Sequence, residues 1–284
     1  MLFEKRIIDT HFHIWDTDKF TLPWLSFFKD VLKTKYSLED YAQAKKGYNI
    51  LKSCYVEVDA IPEQREQEAK MAISLCDNPQ NQVVAATIGC DLSAANFESY
   101  ILKHMKEKHV KSVRHNFFTS DLTLTRTHQF IKNTQLLGQL GIMCDLIMDS
   151  NKMAYGINLA EKCPGTTFII DHCGVCPINA DVKAWELWQQ GIKKYSQLNN
   201  TVCKISECGF TEPSYSWKVE DVIEIIRHCV NSFGEDRVIY GSNWPVCEIT
   251  SSLGQWITAI DVSLKGCSQE SLDKLFFKKC KKIL

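Results

Sequence analysis

Short runs of apolar and β-branched residues alternate with longer amphipathic segments along the chain. Each short run is typical of a buried strand and ends in polar or glycine-bearing sequence. Eight runs are predicted as strands: residues 6–15, 51–58, 82–89, 110–117, 141–148, 166–174, 201–209 and 237–245. Because strands that alternate with helices pair in parallel, the pattern predicts one parallel sheet.

The amphipathic segments between these runs are predicted as helices. The clearest is 63–76, where Pro62 suits a first turn and apolar residues recur with the spacing of one helical face. Gly138 and Gly234 are predicted to stop the helices that precede them. The remaining helices are predicted at residues 94–108, 126–138, 151–162, 184–197, 218–233, 252–265 and 268–280.

The count of eight strands favours a closed barrel over an open sheet. An open nucleotide-binding sheet carries a glycine-rich fingerprint after its first strand, where this chain has His-Phe-His-Ile-Trp-Asp. We therefore predict an α/β fold, a (β/α)8 TIM barrel formed by a single domain over residues 1–284. The long first connection, 16–50, either covers the barrel mouth or is an ordinary packed insertion.

Composition and charge favour a globular protein with a small-molecule partner. Hydrophobic residues make up 45% of the chain, charged residues 24%, and the formal net charge is −1. No basic cluster suits nucleic acid, and no segment calls for a membrane. The beginning of the chain leaves no room for a signal peptide, so we expect a cytoplasmic protein, either a monomer or a homodimer.

Thirteen cysteines are present, and several lie within apolar runs. A free thiol in such a run behaves as a small hydrophobe, which predicts buried, reduced cysteines. Cys173 and Cys176 form a CxxC pair, but two further partners at the spacing of a zinc site are missing. The cysteines predicted to be buried are Cys54, Cys90, Cys144 and Cys203.

Two histidines of the first run, His11 and His13, are two positions apart and would share one face of a strand. Taken alone, such a pair is equally well explained by structural histidines with satisfied hydrogen bonds. His172 follows Ile170 by two positions in the sixth run, so the same alternation predicts that it also faces the barrel interior. Three neutral imidazoles at strand ends predict a divalent-metal site, zinc above all, with a position left for water.

Aspartates precede both sets of histidines. Asp9 and Asp171 are predicted to orient the imidazoles by hydrogen bonding. Other histidines lie beside charged residues in helical segments and are predicted to be solvated: His104, His109, His128 and His228.

Arg114 and Lys204 are charged residues near the ends of the fourth and seventh runs. Each is either an ion-pair partner inside the barrel or a group that holds a carboxylate or polyol substrate. A lysine that points into a barrel must find an anion or hydrogen-bond partners, because a lone buried charge is too costly.

Several blocks resemble, in order, the lactonase branch of the amidohydrolase superfamily, and L-fuconolactonase-like proteins most closely. They are "DTHFHIWD", "LPWL", "SVRHNF", "IIDHCG", "CKISECGFTE" and "DRVIYGSNWPVC", and they span nearly the whole chain. The resemblance implies a (β/α)8 barrel that hydrolyses a sugar lactone or a related small lactone. It implies either one divalent ion or metal-independent chemistry.

Carried over by position, the resemblance implies a role for His11, His13, His172 and position 243. Substrate contacts are predicted within the same blocks: Trp15, Arg114, His115, Lys204 and Trp244.

Position 243 departs from the family pattern, because the chain reads "GSNWP" where "GSDWP" is common. A carboxamide cannot take up a proton near neutral pH, so Asn243 can orient water but cannot act as a base. His172 or Glu57 is predicted to replace it. Two alternatives stay open: a metal-dependent decarboxylase on the same barrel, and a barrel that binds a sugar acid without turnover.

Overall fold

Eight parallel strands form one sheet whose order follows the chain. The computed structural model describes residues 5–118, 120–179 and 181–283, so residues 1–4, 119, 180 and 284 of the predicted domain lie outside the described residues. The strands are β1 (Ile7–Phe12), β2 (Trp15–Asp16), β3 (Lys35–Tyr36), β4 (Ile50–Val56), β5 (Val83–Cys90), β6 (Val110–His115), β7 (Met143–Leu146), β8 (Phe168–Ile170), β9 (Thr201–Ser206) and β10 (Val238–Gly241). The eight-stranded sheet omits β2 and β3, which pair with each other.

The sheet closes into a barrel where β1 meets β10. The backbone N–H of His13 donates to the carbonyl of Trp244 at 2.7 Å, and the N–H of Asn243 donates to the carbonyl of His11 at 2.8 Å. The predicted (β/α)8 barrel is therefore confirmed. Because this seam joins both ends of the sheet, it aligns the two histidines of β1 with Asn243.

Helices follow the strands around the barrel. Their bounds are α1 (Leu38–Ala44), α2 (Arg65–Asp77), α3 (Phe97–His104), α4 (His128–Gln139), α5 (Met153–Lys162), α6 (the single turn His172–Val175), α7 (Val182–Ser196), α8 (Val219–Phe233), α9 (Leu253–Ser263), α10 (Gln269–Asp273) and α11 (Lys279–Lys282). The helix predicted at 268–280 is divided by a π-helical turn at Lys274–Lys278.

Several predicted boundaries were wrong. The runs at 110–117, 141–148, 166–174, 201–209 and 237–245 continue past the ends of β6, β7, β8, β9 and β10, because the residues at their ends already belong to the loops and turns that follow. The first run does not continue to residue 15, because Trp15 leaves the barrel and pairs with Tyr36 in the β2–β3 hairpin. Gly138 does not stop α4 but lies inside it, where a Cβ atom would come within 2.4 Å of the Gly165 carbonyl oxygen. Gly234 does follow α8 with a positive φ of 72°, as predicted.

The first connection packs over part of the barrel mouth. The indole of Trp24 donates a hydrogen bond of 2.7 Å to the carbonyl of Val58, two residues beyond the end of β4. Trp24 also packs edge-on against Trp15, with ring centroids 5.5 Å apart. Among the described residues, no helix has the length and apolarity required to cross a bilayer.

The core contains the cysteines that the sequence placed there. Cys54, Cys90, Cys144 and Cys203 are all buried and free, as predicted. A small cavity inside the barrel is bordered by polar side chains as well as apolar ones, and Thr10, Ser112, Asp145 and Lys204 are among the polar residues. Polar groups buried inside a barrel must find hydrogen-bond or ion-pair partners there.

Candidate active site

His11 and His13 lie together at the mouth end of β1. A β-bulge separates Asp9, which pairs with Ser53, from Phe12, which pairs with Tyr55. His11 lies within this bulge and His13 directly after β1, and the two imidazoles face each other, with His11 Nε2 3.1 Å from His13 Nε2. The bulge therefore brings two imidazole nitrogens together at the mouth end of the strand.

The tautomer of His13 is set by a backbone carbonyl. His13 Nδ1 lies 2.7 Å from the carbonyl oxygen of Val56. Because a carbonyl oxygen only accepts, Nδ1 carries the proton and Nε2 presents its lone pair. This is the arrangement found for imidazoles that bind metals.

Asp9 supports the backbone of the seam and not an imidazole ring, which corrects the sequence prediction. Its carboxylate accepts hydrogen bonds from the backbone N–H groups of His11, at 3.1 Å, and Ser242, at 2.8 Å. The hydroxyl groups of Tyr41 and Ser242 donate to its other oxygen at 2.7 and 2.6 Å. Asp9 thus ties β1 to the residues that follow β10.

His172 reaches the same place by a different route. Strand β8 ends at Ile170, and His172, Cys173, Gly174 and Val175 all have left-handed backbone conformations, with φ between 49° and 70°. The imidazole of His172 packs beside that of His11, with ring centroids 4.6 Å apart. The predicted meeting of three imidazoles is present, but strand alternation is not what orients His172.

The left-handed turn α6 is held by contacts from neighbouring elements. The indole N–H of Trp188 donates to the carbonyl of Cys173 at 2.8 Å. The Ser206 hydroxyl accepts the backbone N–H of His172 at 3.0 Å. Left-handed conformations cost non-glycine residues free energy, so these contacts must stabilise the turn.

The turn also allows Asp171 and His172, neighbours in sequence, to face the same centre. Asp171 Oδ1 lies 3.6 Å from His11 Nδ1, and Asp171 Oδ2 lies 3.6 Å from an Arg114 nitrogen. Burial alone would raise the pKa of Asp171, but the ammonium group of Lys204 and the neighbouring imidazoles hold it well below its ordinary value. Asp171 is therefore an anion at neutral pH.

Lys204 lies beneath the histidines as part of a buried ion network. Its Nζ atom is 2.7 Å from Asp145 Oδ2, 2.9 Å from Asp171 Oδ1 and 3.4 Å from His11 Nδ1. Burial opposes the charge, yet the two carboxylates raise the pKa of Lys204 above its ordinary value. Sequence reasoning required an anion for this lysine but missed Asp145, whose position inside the apolar strand β7 was the available signal.

Arg114 pairs with Glu57 on the opposite side of the mouth. The Arg114 Nε–H donates to the Glu57 carboxylate, and Nη2 donates to the Glu57 carbonyl at 2.7 Å. The second carboxylate oxygen of Glu57 accepts the backbone N–H of Asp59 at 2.7 Å. Of the two roles left open for Arg114, the ion pair inside the barrel is the one that the geometry displays.

All three imidazoles are neutral at neutral pH. Burial, followed by the charge of Arg114, lowers the pKa of His13 to about 3. Burial also lowers the pKa of His172 to about 3 and that of His11 well below its ordinary value. A neutral imidazole can present a lone pair, which a protonated one cannot.

Asn243 lies next to the histidines in a left-handed conformation, with φ 59°. Its amide nitrogen donates to the carbonyl of Glu207 at 3.3 Å. The same carbonyl and the Ser206 hydroxyl each lie 3.0 Å from His172 Nδ1, and because the carbonyl can only accept, Nδ1 carries the proton and His172 Nε2 presents its lone pair. Asn243 and His172 are therefore joined through one backbone oxygen.

Glu207 has a buried carboxyl group that sequence reasoning gave no catalytic or binding role. One oxygen accepts from the backbone of Gly209, at 2.7 Å, and the indole of Trp217, at 3.1 Å. The other oxygen has no hydrogen-bond partner among the described residues. Burial raises the pKa of Glu207 to about 7.

Three predicted substrate contacts lie away from the imidazoles. The Trp15 indole N–H donates to the Lys33 carbonyl, and the Trp244 indole N–H donates to the Glu248 carboxylate. Both rings pack against Tyr36.

His115 accepts the backbone N–H of Leu92 and packs against Phe117 and Phe130. Adjacent residues of a strand face opposite sides, so His115 points outward where Arg114 points inward.

The prediction that all four remaining histidines are solvated was wrong for His104. It is 3% exposed, and its Nε2 lies 3.0 Å from the carboxylate of Glu66. The acidic neighbour comes from α2, which is distant in sequence, and so local charge did not reveal the pairing.

The donor set at the mouth fits a divalent cation. Ligand atoms of His11, Asp171 and His172 lie within 4.8 Å of one another, and all three residues are buried. The Nε2 atoms of His13 and His172 are left unprotonated by carbonyl groups bound at Nδ1. Two or three imidazoles with one carboxylate form a donor set typical of catalytic zinc.

Comparison with known proteins finds relatives that match most of the chain. The chain is 27% identical over 291 residues to an uncharacterized protein, y4mH, of Sinorhizobium fredii, covering 95% of each chain. It is 20% identical to an L-fucono-1,5-lactonase of Burkholderia multivorans, covering 89% of this chain and 87% of that protein. An amidohydrolase of B. multivorans with bound zinc has the same fold, with a TM-score of 0.86, 18% identity and 98% of each chain covered.

The family model described as amidohydrolase matches residues 8–278, which include all the barrel strands except the first residue of β1 and all the mouth residues named above. The expected resemblance is confirmed by this match. The chain is a member of the amidohydrolase family.

Proposed function

We propose that this protein hydrolyses the lactone of a sugar acid at the C-terminal mouth of its barrel. The observation that carries the proposal is the meeting of three neutral imidazoles from distant parts of the chain, of which His172 alone has an unshared nitrogen. The Nε2 atoms of His11 and His13 are hydrogen-bonded to each other. No hydrogen-bond partner for His172 Nε2 lies among the described residues. The L-fucono-1,5-lactonase relative supports a sugar lactone as the substrate.

His172 is the proposed proton acceptor in place of the aspartate missing at position 243. Asn243 cannot take up a proton, and Glu57 is occupied by Arg114 and the Asp59 backbone. A water molecule attacks the lactone carbonyl and gives its proton to His172 Nε2. The same proton then passes to the ring oxygen as its bond to the carbonyl carbon breaks, leaving a hydroxy acid.

The residues that would hold a divalent ion, most simply zinc, are His11 and His13, with the Asp171 carboxylate beside them, because His172 Nε2 must stay free to accept the proton. Such an ion supplies a Lewis acid and lowers the pKa of bound water to about 7. Lys204 and Arg114 are buried and bound to carboxylates, so we propose that they contribute positive potential near the carbonyl oxygen. Asn243 orients the attacking water through its amide group.

The test is a panel of aldonolactones assayed for acid release with a pH indicator. We expect acid release by the parent protein and none by the H11A/H13A double variant, which retains His172. Release of CO₂ from aromatic or aliphatic carboxylates, without lactone opening, would instead identify a decarboxylase. Binding of a sugar acid by the parent without any turnover would overturn the hydrolytic proposal.

A further inference from the structure

The hydrogen bonds around His11 specify which of its nitrogens carries the proton. His13 Nε2 has a lone pair, because His13 Nδ1 donates to the Val56 carbonyl. The proton between His11 Nε2 and His13 Nε2, 3.1 Å apart, therefore belongs to His11. His11 Nδ1 is then unprotonated.

The unprotonated Nδ1 of His11 faces a donor. Lys204 Nζ lies 3.4 Å from it, and an ammonium group can only donate. Asp171 Oδ1 lies 3.6 Å from the same nitrogen and can only accept while it is ionised. Lys204 and Asp171 therefore favour opposite tautomers of His11.

Metal binding through His11 Nε2 requires the tautomer that Lys204 opposes. The proton must leave Nε2 and a proton must be carried at Nδ1, where Asp171 would accept the hydrogen bond. Binding through Nδ1 instead would place the ion beside Lys204 Nζ, which lies within 2.9 Å of Asp171 Oδ1. In either case the ammonium group competes with the ion for the same ligands.

We infer that Lys204 controls the metal affinity of this site, by holding His11 as the Nε2–H tautomer and by occupying Asp171. The switch between tautomers is neutral, with one proton lost at Nε2 and one gained at Nδ1. Asp145 anchors the ammonium group of Lys204 at 2.7 Å. The inference rests on the metal site included in the proposed function, but not on lactone turnover.

The first experiment uses the metal-free parent protein with ¹⁵N-labelled histidine. Two-bond ¹⁵N–¹H NMR spectra should show His11 as the Nε2–H tautomer and His13 and His172 as Nδ1–H tautomers. The His11 signals are identified by their loss in His11→Gln. Zinc should convert His11 to the Nδ1–H form, and a metal-free protein already in that form would overturn the inference.

The second experiment measures zinc affinity by competition with a chromophoric chelator. Lys204→Met should lower the dissociation constant at least about tenfold, because it removes a positive charge next to the ion and frees Asp171. Lys152→Met is the matched control, since Lys152 pairs with Asp149 on a loop beyond β7 and does not contact the histidines. It should change the constant less than twofold.

If Lys204→Met does not fold, the K204Q/D145N double variant replaces the ion pair with a neutral hydrogen-bonded pair and should show the same tighter zinc binding. Unchanged or weaker binding in a folded Lys204 variant, or an equal gain in Lys152→Met, would overturn the inference. The proposed hydrolysis is tested by a different measurement, and absence of acid release from the lactone panel would contradict it. Each result can therefore be assigned to one of the two proposals.

Discussion

The two sources of imidazoles at the mouth differ in what positions them. His11 lies on β1 and His13 directly follows it, where a β-bulge and the seam with β10 orient both rings. His172 lies on the left-handed turn α6, which has φ values that non-glycine residues rarely adopt. The first arrangement follows from local sequence, whereas the second depends on contacts from distant elements.

This difference explains how much of the molecule could be predicted. The periodicity of eight runs was sufficient to predict the barrel. The spacing of His11 and His13 was sufficient to predict that their imidazoles share one face. The orientation of His172 was correct for the wrong reason, because nothing local indicates that His172, Cys173 and Val175 share a left-handed turn. Trp188, which stabilises that turn, comes from α7, so its role is visible only in three dimensions.

The charged residues show the same limit. The need of Lys204 for an anion followed from the cost of a buried charge, but Asp145 and Asp171 could be matched to it only by the barrel. Trp15 was placed in the first strand by its apolar neighbours, yet the hairpin removes it from the barrel. Long connections are therefore where sequence reasoning failed most.

The largest expected effect on activity comes from substitution of His172, whose imidazole lies on the turn α6. His172→Gln should lower kcat for the lactone by about 10²- to 10⁴-fold, because the proposed proton acceptor is lost. His104→Gln is the matched control, since His104 is also buried but pairs with Glu66 on the outer helices. Steady-state kinetics on folded protein measure both, and similar losses in the two variants would contradict the role given to His172.

The turn itself can be tested with glycine substitutions. Gly174→Ala should lower the free energy of unfolding by about 2–5 kcal/mol, from left-handed strain and from a Cβ atom within 2.5 Å of Met153 Cε and 2.7 Å of Ile192 Cδ1. Gly234→Ala has a similar φ of 72° but a ψ of 164°, and no atom lies within 4 Å of its Cβ, so backbone strain alone should cost about 1–3 kcal/mol.

Urea denaturation measures both losses. We expect Gly174→Ala also to reduce lactonase activity, since it displaces the turn that carries His172, while Gly234→Ala leaves activity unchanged. Equal stability losses would show that packing around α6 adds nothing to the strain of the turn.

The carboxyl group of Glu207, whose backbone oxygen binds His172 Nδ1, gives a pH-dependent test on the same side of the mouth. Burial raises its pKa from 4.5 to about 7, so the folded protein holds a proton that the unfolded chain releases between these values. This contribution lowers stability as the pH rises from about 4.5 to 7. Glu207→Gln resembles the protonated acid and should stabilise the protein at pH 8 by up to about 3 kcal/mol, with little gain at pH 4.

Thermal unfolding at the two pH values checks this sign. His13 and His172 act in the opposite direction, because their lowered pKa values make stability fall as the pH drops from about 6.5 towards 3. Glu220→Gln, the same exchange of residue types in the first turn of α8, is the control for the substitution itself. A Glu207→Gln gain of the same size at pH 4 and pH 8 would mean that the carboxyl group does not titrate in this range.

The smallest expected effect is at Asn243, where β10 leads into the loop beside both sets of histidines. Asparagine and aspartate both tolerate left-handed backbone, so Asn243→Asp should preserve the fold. An aspartate could share proton transfer with His172, and so lactonase kcat should stay within about threefold or rise. A large loss in steady-state rate would contradict the view that Asn243 only orients water, and would show that its amide N–H bond to the Glu207 carbonyl is needed to keep His172 in place.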